Sequence, residues 1–258
     1  MADRQELLLS MINIVHQCGE IVLSATDIKR KMHQKEGKGN FVTEYDSKVQ
    51  AVLKQELLAL LPEAVFFGEE DDADKADISQ GYAFIVDPID GTANFTRGLH
   101  MSCISVALTK DGQPVIGVIY QPYTRETFYA EKGKGAYLNG EPIQASHRTL
   151  EEGIVFFGSS PYEEELAETS FEMAYRYFKK AQDIRRSGSA ANDLCMIASG
   201  RAELYFEMCL SPWDYAAGAL LVAEAGGIVT DIRGNALCFD KKQSIMARGQ
   251  NVKCLSDA

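Results

Sequence analysis

Residues 82–92 read Tyr82-Ala83-Phe84-Ile85-Val86-Asp87-Pro88-Ile89-Asp90-Gly91-Thr92. The unbroken apolar run Tyr82 to Val86 predicts a short strand buried on both faces. Asp87 ends that run and cannot stay deep in a core as a lone charge. Pro88 fixes its own φ and restricts Asp87, so the chain is expected to leave the strand through a stiff turn. Asp90 comes three residues later and can curl back to the same side, with the Ile89 carbonyl between the two. Two carboxylates and a carbonyl, all oxygen, suit a hard cation such as Mg²⁺. Gly91 permits close backbone approach. The amides of Gly91 and Thr92 can open a short helix and bind an anion.

Two more acidic positions fit the same pattern. Gly68-Glu69-Glu70 closes an apolar strand, Ala64 to Phe67, and Trp213-Asp214 opens a helix. With Asp87 and Asp90, Glu69 and Asp214 make a cluster too negative to assemble unpaired. Two or more divalent cations would neutralise it. Such a centre can activate a water and stabilise the leaving oxygen of a phosphate ester. His16, His33, His100 and His147 show no pairing at ligand spacing and are read as solvated or structural. Asp71 and Asp72 read as a solvated charge run. Lys35 and Lys38 fall in a polar stretch, Lys29 to Asn40, read as a surface loop or a lid.

The rest of the chain supplies the frame. Leu7, Leu8, Met11, Ile14, Val15, Cys18, Ile21 and Val22 share one helical face. A second helix is expected from about Thr43 to Leu61, stopped by Pro62. Strands follow at Cys103 to Thr109 and Pro114 to Tyr120, around Asp111-Gly112. Further strands are expected at Thr127 to Ala130 and Gly135 to Leu138, with Asn139-Gly140 as a turn. The second half alternates: a strand from Ile154 to Phe157, a helix from Glu163 to Lys180, a helix that Ser189 can cap, a strand from Ala202 to Glu207, a helix from Asp214 to Ala225, and two short closing strands. This order suggests layers of helix and sheet in one domain, 1–258, of two lobes, about 1–150 and about 151–258.

Composition narrows the partners. The chain has 258 residues, 46% hydrophobic and 24% charged, with a formal net charge of −11. That charge repels nucleic acid and anionic membrane surfaces. The cysteines Cys18, Cys103, Cys195, Cys209, Cys238 and Cys254 form no C-x-x-C pair and read as reduced core thiols of a cytoplasmic protein. No uncharged apolar run reaches the roughly 18 residues of a membrane span.

Asp87-Pro88-Ile89-Asp90-Gly91-Thr92-Ala93-Asn94-Phe95 resembles the metal-binding motif of the inositol monophosphatase family. Trp213-Asp214-Tyr215-Ala216-Ala217-Gly218 resembles its second motif. Gly68-Glu69-Glu70 and Val42-Thr43-Glu44-Tyr45-Asp46 also match, in the family's order. The resemblance covers nearly the whole chain. It implies an α+β fold, the layered αβαβα sandwich of the inositol monophosphatase and fructose-1,6-bisphosphatase type. It also implies phosphate-monoester hydrolysis by a metal-activated water on two or three Mg²⁺ ions, with Mn²⁺ a possible substitute.

Carried over residue by residue, Glu69, Asp87 and the Ile89 carbonyl would hold one ion. Asp87, Asp90 and Asp214 would hold a second, and Glu69 would help hold a third. Thr92 would orient the water, helped by Asp46, with Glu69 and Asp90 also in the catalytic set. The Gly91 and Thr92 amides would hold phosphate oxygens. Gly188, Ser189 and Ala190 match a small-residue turn lining the substrate pocket beside Asp90 and Asp214, and Glu207 would receive polyol hydroxyls. Thr92-Ala93-Asn94-Phe95 points to the inositol branch, so myo-inositol monophosphate is the expected substrate. Fructose 1,6-bisphosphate, histidinol phosphate, NADP or a nucleotide 3′-phosphate are alternatives for the same chemistry. A non-catalytic interaction module is the alternative of another class. The resemblance further implies a lithium-sensitive homodimer acting on a small phosphorylated metabolite, with no nucleic-acid or membrane partner.

Overall fold

Two helices lead the chain: α1 (Arg4–Leu23) and, after a short antiparallel pair β1 (Met32–Gln34) and β2 (Phe41–Thr43), α2 (Glu44–Leu60). The structure is a computed structural model and describes residues 4–28, 32–34, 41–71 and 77–255. Lys35, Lys38 and Asp72 lie outside the described residues, whereas the stretch read as a loop contains β1. Thr43 caps α2: its hydroxyl accepts the amides of Tyr45 and Asp46, and the Asp46 carboxylate accepts the Thr43 amide at 2.8 Å. This reciprocal box fixes the start of the helix and the orientation of Asp46 together. α1 is long and apolar enough to cross a membrane. Here its apolar stripe, Leu7, Met11, Val15 and Cys18 among it, lies in the core against α2 and the first sheet.

That sheet has seven strands in the order β3 (Val65–Gly68), β4 (Tyr82–Asp90), β5 (Cys103–Lys110), β6 (Gln113–Gln121), β7 (Glu126–Glu131), β8 (Ala136–Leu138) and β9 (Glu141–Ile143). β3 and β4 run parallel and the other pairs antiparallel. A short helix, α3 (Thr92–Arg97), sits between β4 and β5. The turns Asp111-Gly112 and Asn139-Gly140 both have positive φ at each position, as tight hairpins require.

The second half contributes β10 (Ile154–Phe157), α4 (Ala167–Phe178), β11 (Asp183–Arg185), α5 (Ala190–Ala198), β12 (Leu204–Leu210), α6 (Pro212–Glu224), β13 (Ile228–Thr230) and β14 (Gln243–Arg248). The second sheet runs β11-β10-β12-β14-β13, parallel across β11, β10 and β12 and antiparallel at β14. The single helix expected over Glu163 to Lys180 is instead a 3-10 turn, Glu164–Leu166, followed by α4. β11 carried no sequence signal: three residues with charged ends show no periodicity.

The layers follow from three apolar clusters. α1 and α2 cover one face of the seven-stranded sheet, and α5 and α6 fill the space between the two sheets. α4 covers the outer face of the five-stranded sheet through Ala174 and Tyr177. This is the αβαβα order. The small residues of α6 explain the close middle layer. A Cβ on Gly117 of β6 would stand 2.9 Å from the Ala217 carbonyl oxygen, and one on Gly218 would stand 2.5 Å from Leu194 Cδ1. Cys18, Cys103 and Cys195 are core thiols, as expected, but Cys238 and Cys254 are exposed, because they lie in surface loops rather than apolar layers.

Candidate active site

The expected turn after Val86 is a bulge instead. β4 continues to Asp90, pairing Asp87 with Ser105 and Asp90 with Cys103, so Pro88 and Ile89 together face Ile104. In a regular strand, residues three apart point to opposite faces. One inserted residue reverses that parity and turns both carboxylates the same way. Pro88 suits the bulge because it has no amide to offer the ladder. The Ile89 amide donates to Asp87 Oδ1 at 3.0 Å, which stiffens the loop.

Two other elements complete the cluster. Glu69 follows β3, and its amide donates to the Val86 carbonyl at 3.1 Å, which sets it beside Asp87. Gly68 precedes it because Gln50 leaves no room: a Cβ there would lie 2.5 Å from Gln50 Oε1. Asp214 sits in the first turn of α6, where Oδ2 accepts the Ser211 amide at 2.7 Å; Ser211, not Asp214, is the N-cap. One oxygen each from Asp87, Asp90 and Asp214 lies within 4.8 Å of the others.

Burial pushes the Asp87 carboxyl well above its ordinary range, and Glu69, Asp90 and Asp214 push it further. Asp214 is raised by burial, then by Asp90 and Glu69. Asp90 is raised by burial and partly relieved by hydrogen bonds from Ser189 and Ala191. An all-oxygen cluster that resists ionisation alone fits divalent cations, which would supply the missing charge.

Behind Thr92 lies Asp46, fully buried. Thr92 Oγ1 is 3.2 Å from Asp46 Oδ1 and 3.1 Å from the Ile89 carbonyl, and the Thr43 hydroxyl donates to Asp46 Oδ2. Burial lifts Asp46 to about 6 against the opposing bonds from Thr43. Gly91 adopts φ +85°, and a Cβ on it would meet the Met101 carbonyl oxygen and Ser189 Cβ at 3.1 Å. Only glycine fits both constraints at the head of α3.

A cavity of about 360 Å³ receives Glu69, Asp87, Ile89, Asp90, Gly91, Thr92, Gly188, Ser189, Ala190, Glu207 and Asp214; Asp46 lies behind it. A larger cavity, about 720 Å³, lies elsewhere, among Arg176, Lys179, Lys180 and Lys253, and holds none of these groups. Ser189 occupies the N-cap position of α5, yet its hydroxyl makes no cap bond; it donates to Asp90 Oδ2 at 2.6 Å. Glu207 accepts the Ser160 amide and the Tyr205 hydroxyl, each at 2.8 Å. Burial raises its carboxyl.

The cavity also takes in groups that the sequence reading missed: Arg97, Tyr162, Arg186 and Asp193. Arg186 donates to Ser159 Oγ at 3.1 Å, and Asp193 Oδ1 has no hydrogen-bond partner among the described residues. The Arg185-Arg186 pair just before Gly188 was the available signal. For Asp193, one polar residue in an apolar helix, only the fold gives its place.

Residues 3–256 match the inositol monophosphatase family. The chain is 35% identical over 226 residues to the Nus factor SuhB of Xylella fastidiosa, covering 87% of this chain and 81% of that protein. It is 35% identical over 230 residues to inositol monophosphatase 2 of Solanum lycopersicum, covering 87% and 86%. The crystal structure of the extragenic suppressor protein suhB from Bartonella henselae superposes with a TM-score of 0.87 at 32% identity, covering 95% of each chain.

Proposed function

The chain belongs to the inositol monophosphatase family, and on that premise we propose that it hydrolyses phosphate monoesters with Mg²⁺, myo-inositol monophosphate being the favoured substrate. The observation that carries this reading is the trio Asp87, Asp90 and Asp214, gathered within 4.8 Å on the wall of a cavity that also holds Thr92. Asp87, Asp90, Asp214, Glu69 and the Ile89 carbonyl would hold the ions. Bound there, Mg²⁺ supplies charge neutralisation, polarisation of the ester and a more acidic water.

The chain's own groups do the rest. The Thr92 hydroxyl, with Asp46 Oδ1 as its acceptor, orients a water and passes on a proton. An acceptor held near 6 is matched to that task at neutral pH. The amides of Gly91 and Thr92, without intrahelical partners, receive phosphate oxygens. Gly188 and Ala190 leave room for the leaving alcohol. Glu207 offers its hydroxyls a lone pair on Oε2, which accepts one bond, from Tyr205, whereas Oε1 accepts both the amide and the hydroxyl of Ser160. We further read the chain as cytoplasmic, lithium-sensitive, without a nucleic-acid or membrane partner, and as two lobes meeting near residue 150.

A second reading comes from the printed name of a relative, Nus factor SuhB: a non-catalytic interaction role. The complete set of carboxylates with Thr92 favours catalysis. The test is phosphate release from a panel of polyol, sugar, amino-alcohol and nucleotide phosphates, with Mg²⁺ and with chelator. Preference for inositol monophosphate, abolished by chelation and by Asp90→Asn with the fold intact, supports the reading. Another best substrate keeps the chemistry and changes the branch. No release from any member overturns it and favours the interaction role.

A further inference from the structure

The wide cavity at the end of α4 belongs to no part of the site described above. It is bounded by the last turn of that helix, the turn before β10 and the segment Asn251 to Leu255, and its volume of about 720 Å³ is that of a small-molecule site. Four cations line it: Arg176, Lys179, Lys180 and Lys253. Among the described lining residues only Glu151 is acidic. The chain as a whole runs the other way, with 37 acidic against 26 basic residues. A concave surface of one sign focuses its field and draws in the opposite charge, here an anion.

The end of a helix favours cations in its last turn. That accounts for Arg176, Lys179 and Lys180, but not for Lys253, which arrives on a separate segment. The segment is anchored: Arg248 Nη1 donates to the Val252 carbonyl at 2.7 Å, Asn251 Nδ2 donates to the His147 carbonyl at 2.6 Å, and Val252 is buried. Neither Lys180 nor Lys253 makes an ion pair among the described residues. Cations gathered without a counter-charge repel one another, and a bound anion relieves that repulsion. Leu150 and Leu255 add an apolar wall beside them.

The cavity lies at the opposite end of the second sheet from the carboxylate cluster. β10 and β11 are parallel. Leu150 and Glu151 precede β10 and Lys180 precedes β11, whereas Gly158 follows β10 and Arg186 and Gly188 follow β11 at the other cavity. No group of carboxylates that could hold a metal stands beside the four cations, so a ligand there is bound and not turned over.

We propose that this cavity binds the oligophosphate group of a small molecule, a chain of two or three phosphates held by Arg176, Lys179, Lys180 and Lys253. Lysine serves phosphate as a point charge and arginine as a fork. A single phosphate engages only part of the set, whereas a chain of them spans it. The proposal does not rest on the phosphatase reading.

The test follows Cys254, an exposed thiol in the cavity wall, with the exposed Cys238, which does not line it, as control. The full chain is alkylated with iodoacetamide at fixed ionic strength, in Mg²⁺ and again in chelator, and each cysteine is followed by mass spectrometry. Inorganic tripolyphosphate is expected to slow alkylation of Cys254 severalfold and to leave Cys238 unchanged, most strongly in chelator, where the anion keeps its full charge. ATP acting at lower concentration than tripolyphosphate would place an organic group against Leu150 and Leu255; ATP acting at the same concentration would assign the binding to the phosphate chain alone. Lys180→Glu together with Lys253→Glu should raise the tripolyphosphate concentration for half-protection about tenfold or more. Lys180→Arg with Lys253→Arg should keep it, and circular dichroism checks the fold of each variant. Cys254 alkylation unmoved by tripolyphosphate, equal slowing by sulfate at the same ionic strength, equal slowing at Cys238, or undiminished protection in the folded charge-reversed variant overturns the proposal.

Discussion

The Ser189 hydroxyl donates to Asp90 Oδ2 at 2.6 Å, across 99 positions of sequence, and the Ala191 amide reaches the same oxygen at 2.7 Å. The head of α5 thereby fixes a carboxylate that belongs to the other sheet. A hydrogen bond to a charged group contributes about 1.5–3 kcal/mol. Ser189→Ala should lower kcat/KM roughly tenfold and raise the Mg²⁺ concentration for half-maximal rate, with little change in Tm. Ser189→Thr, which keeps the hydroxyl, should retain most activity. Equal Mg²⁺ dependence in Ser189→Ala and the wild type would show that Asp90 does not need the anchor.

Thr92 and Asp46 should act as a unit. Thr92→Val and Asp46→Asn are each expected to lower kcat by about 10²–10⁴, with the double variant no worse than either alone. Thr92→Ser should stay within about tenfold of wild type. Single-turnover kinetics checks this; additive losses in the double variant would separate the two roles.

Protonation sets the stability of the metal-free protein. The folded Asp46 carboxyl lies at about 6, above the usual carboxylate range, and burial also raises Asp87, Asp90 and Asp214. A carboxyl raised on folding favours the folded state below its unfolded pKa. That contribution is lost as pH rises through the folded value. The Tm gained on adding Mg²⁺ should therefore be smaller in acid and grow as pH rises above the usual carboxylate range and the clustered carboxyls ionise. Calorimetry with and without Mg²⁺ measures it, and a gain independent of pH would contradict the assignment.

Gly117→Ala tests the contact between β6 and α6. Its Cβ would meet the Ala217 carbonyl oxygen at 2.9 Å, with backbone on both sides unable to yield cheaply. Overpacking of this kind costs about 1–3 kcal/mol. The urea midpoint should fall with an unchanged slope, and a wild-type midpoint would mean that the layers are less tightly fixed than the distance implies.

Local pattern alone determined much of this protein. The apolar stripe of α1, the box of Thr43 and Asp46, the hairpin turns and the buried run Tyr82 to Val86 are all set by residues within one or two turns of each other. So is the presence of the chemistry, since Glu69, Asp87, Asp90 and Asp214 stand at the ends of such elements. Tertiary structure decided how they face. The bulge that turns Asp87 and Asp90 the same way is a matter of register against β5. The choice of Ser189 to bind Asp90 instead of capping α5 exists only once two sheets meet. Arg186 and Asp193 reach the cavity for the same reason, and β11 forms only because β10 offers it an edge. Sequence pattern records the preferences of neighbours, whereas parity, register and the partner of a buried hydroxyl depend on groups that packing brings from far along the chain.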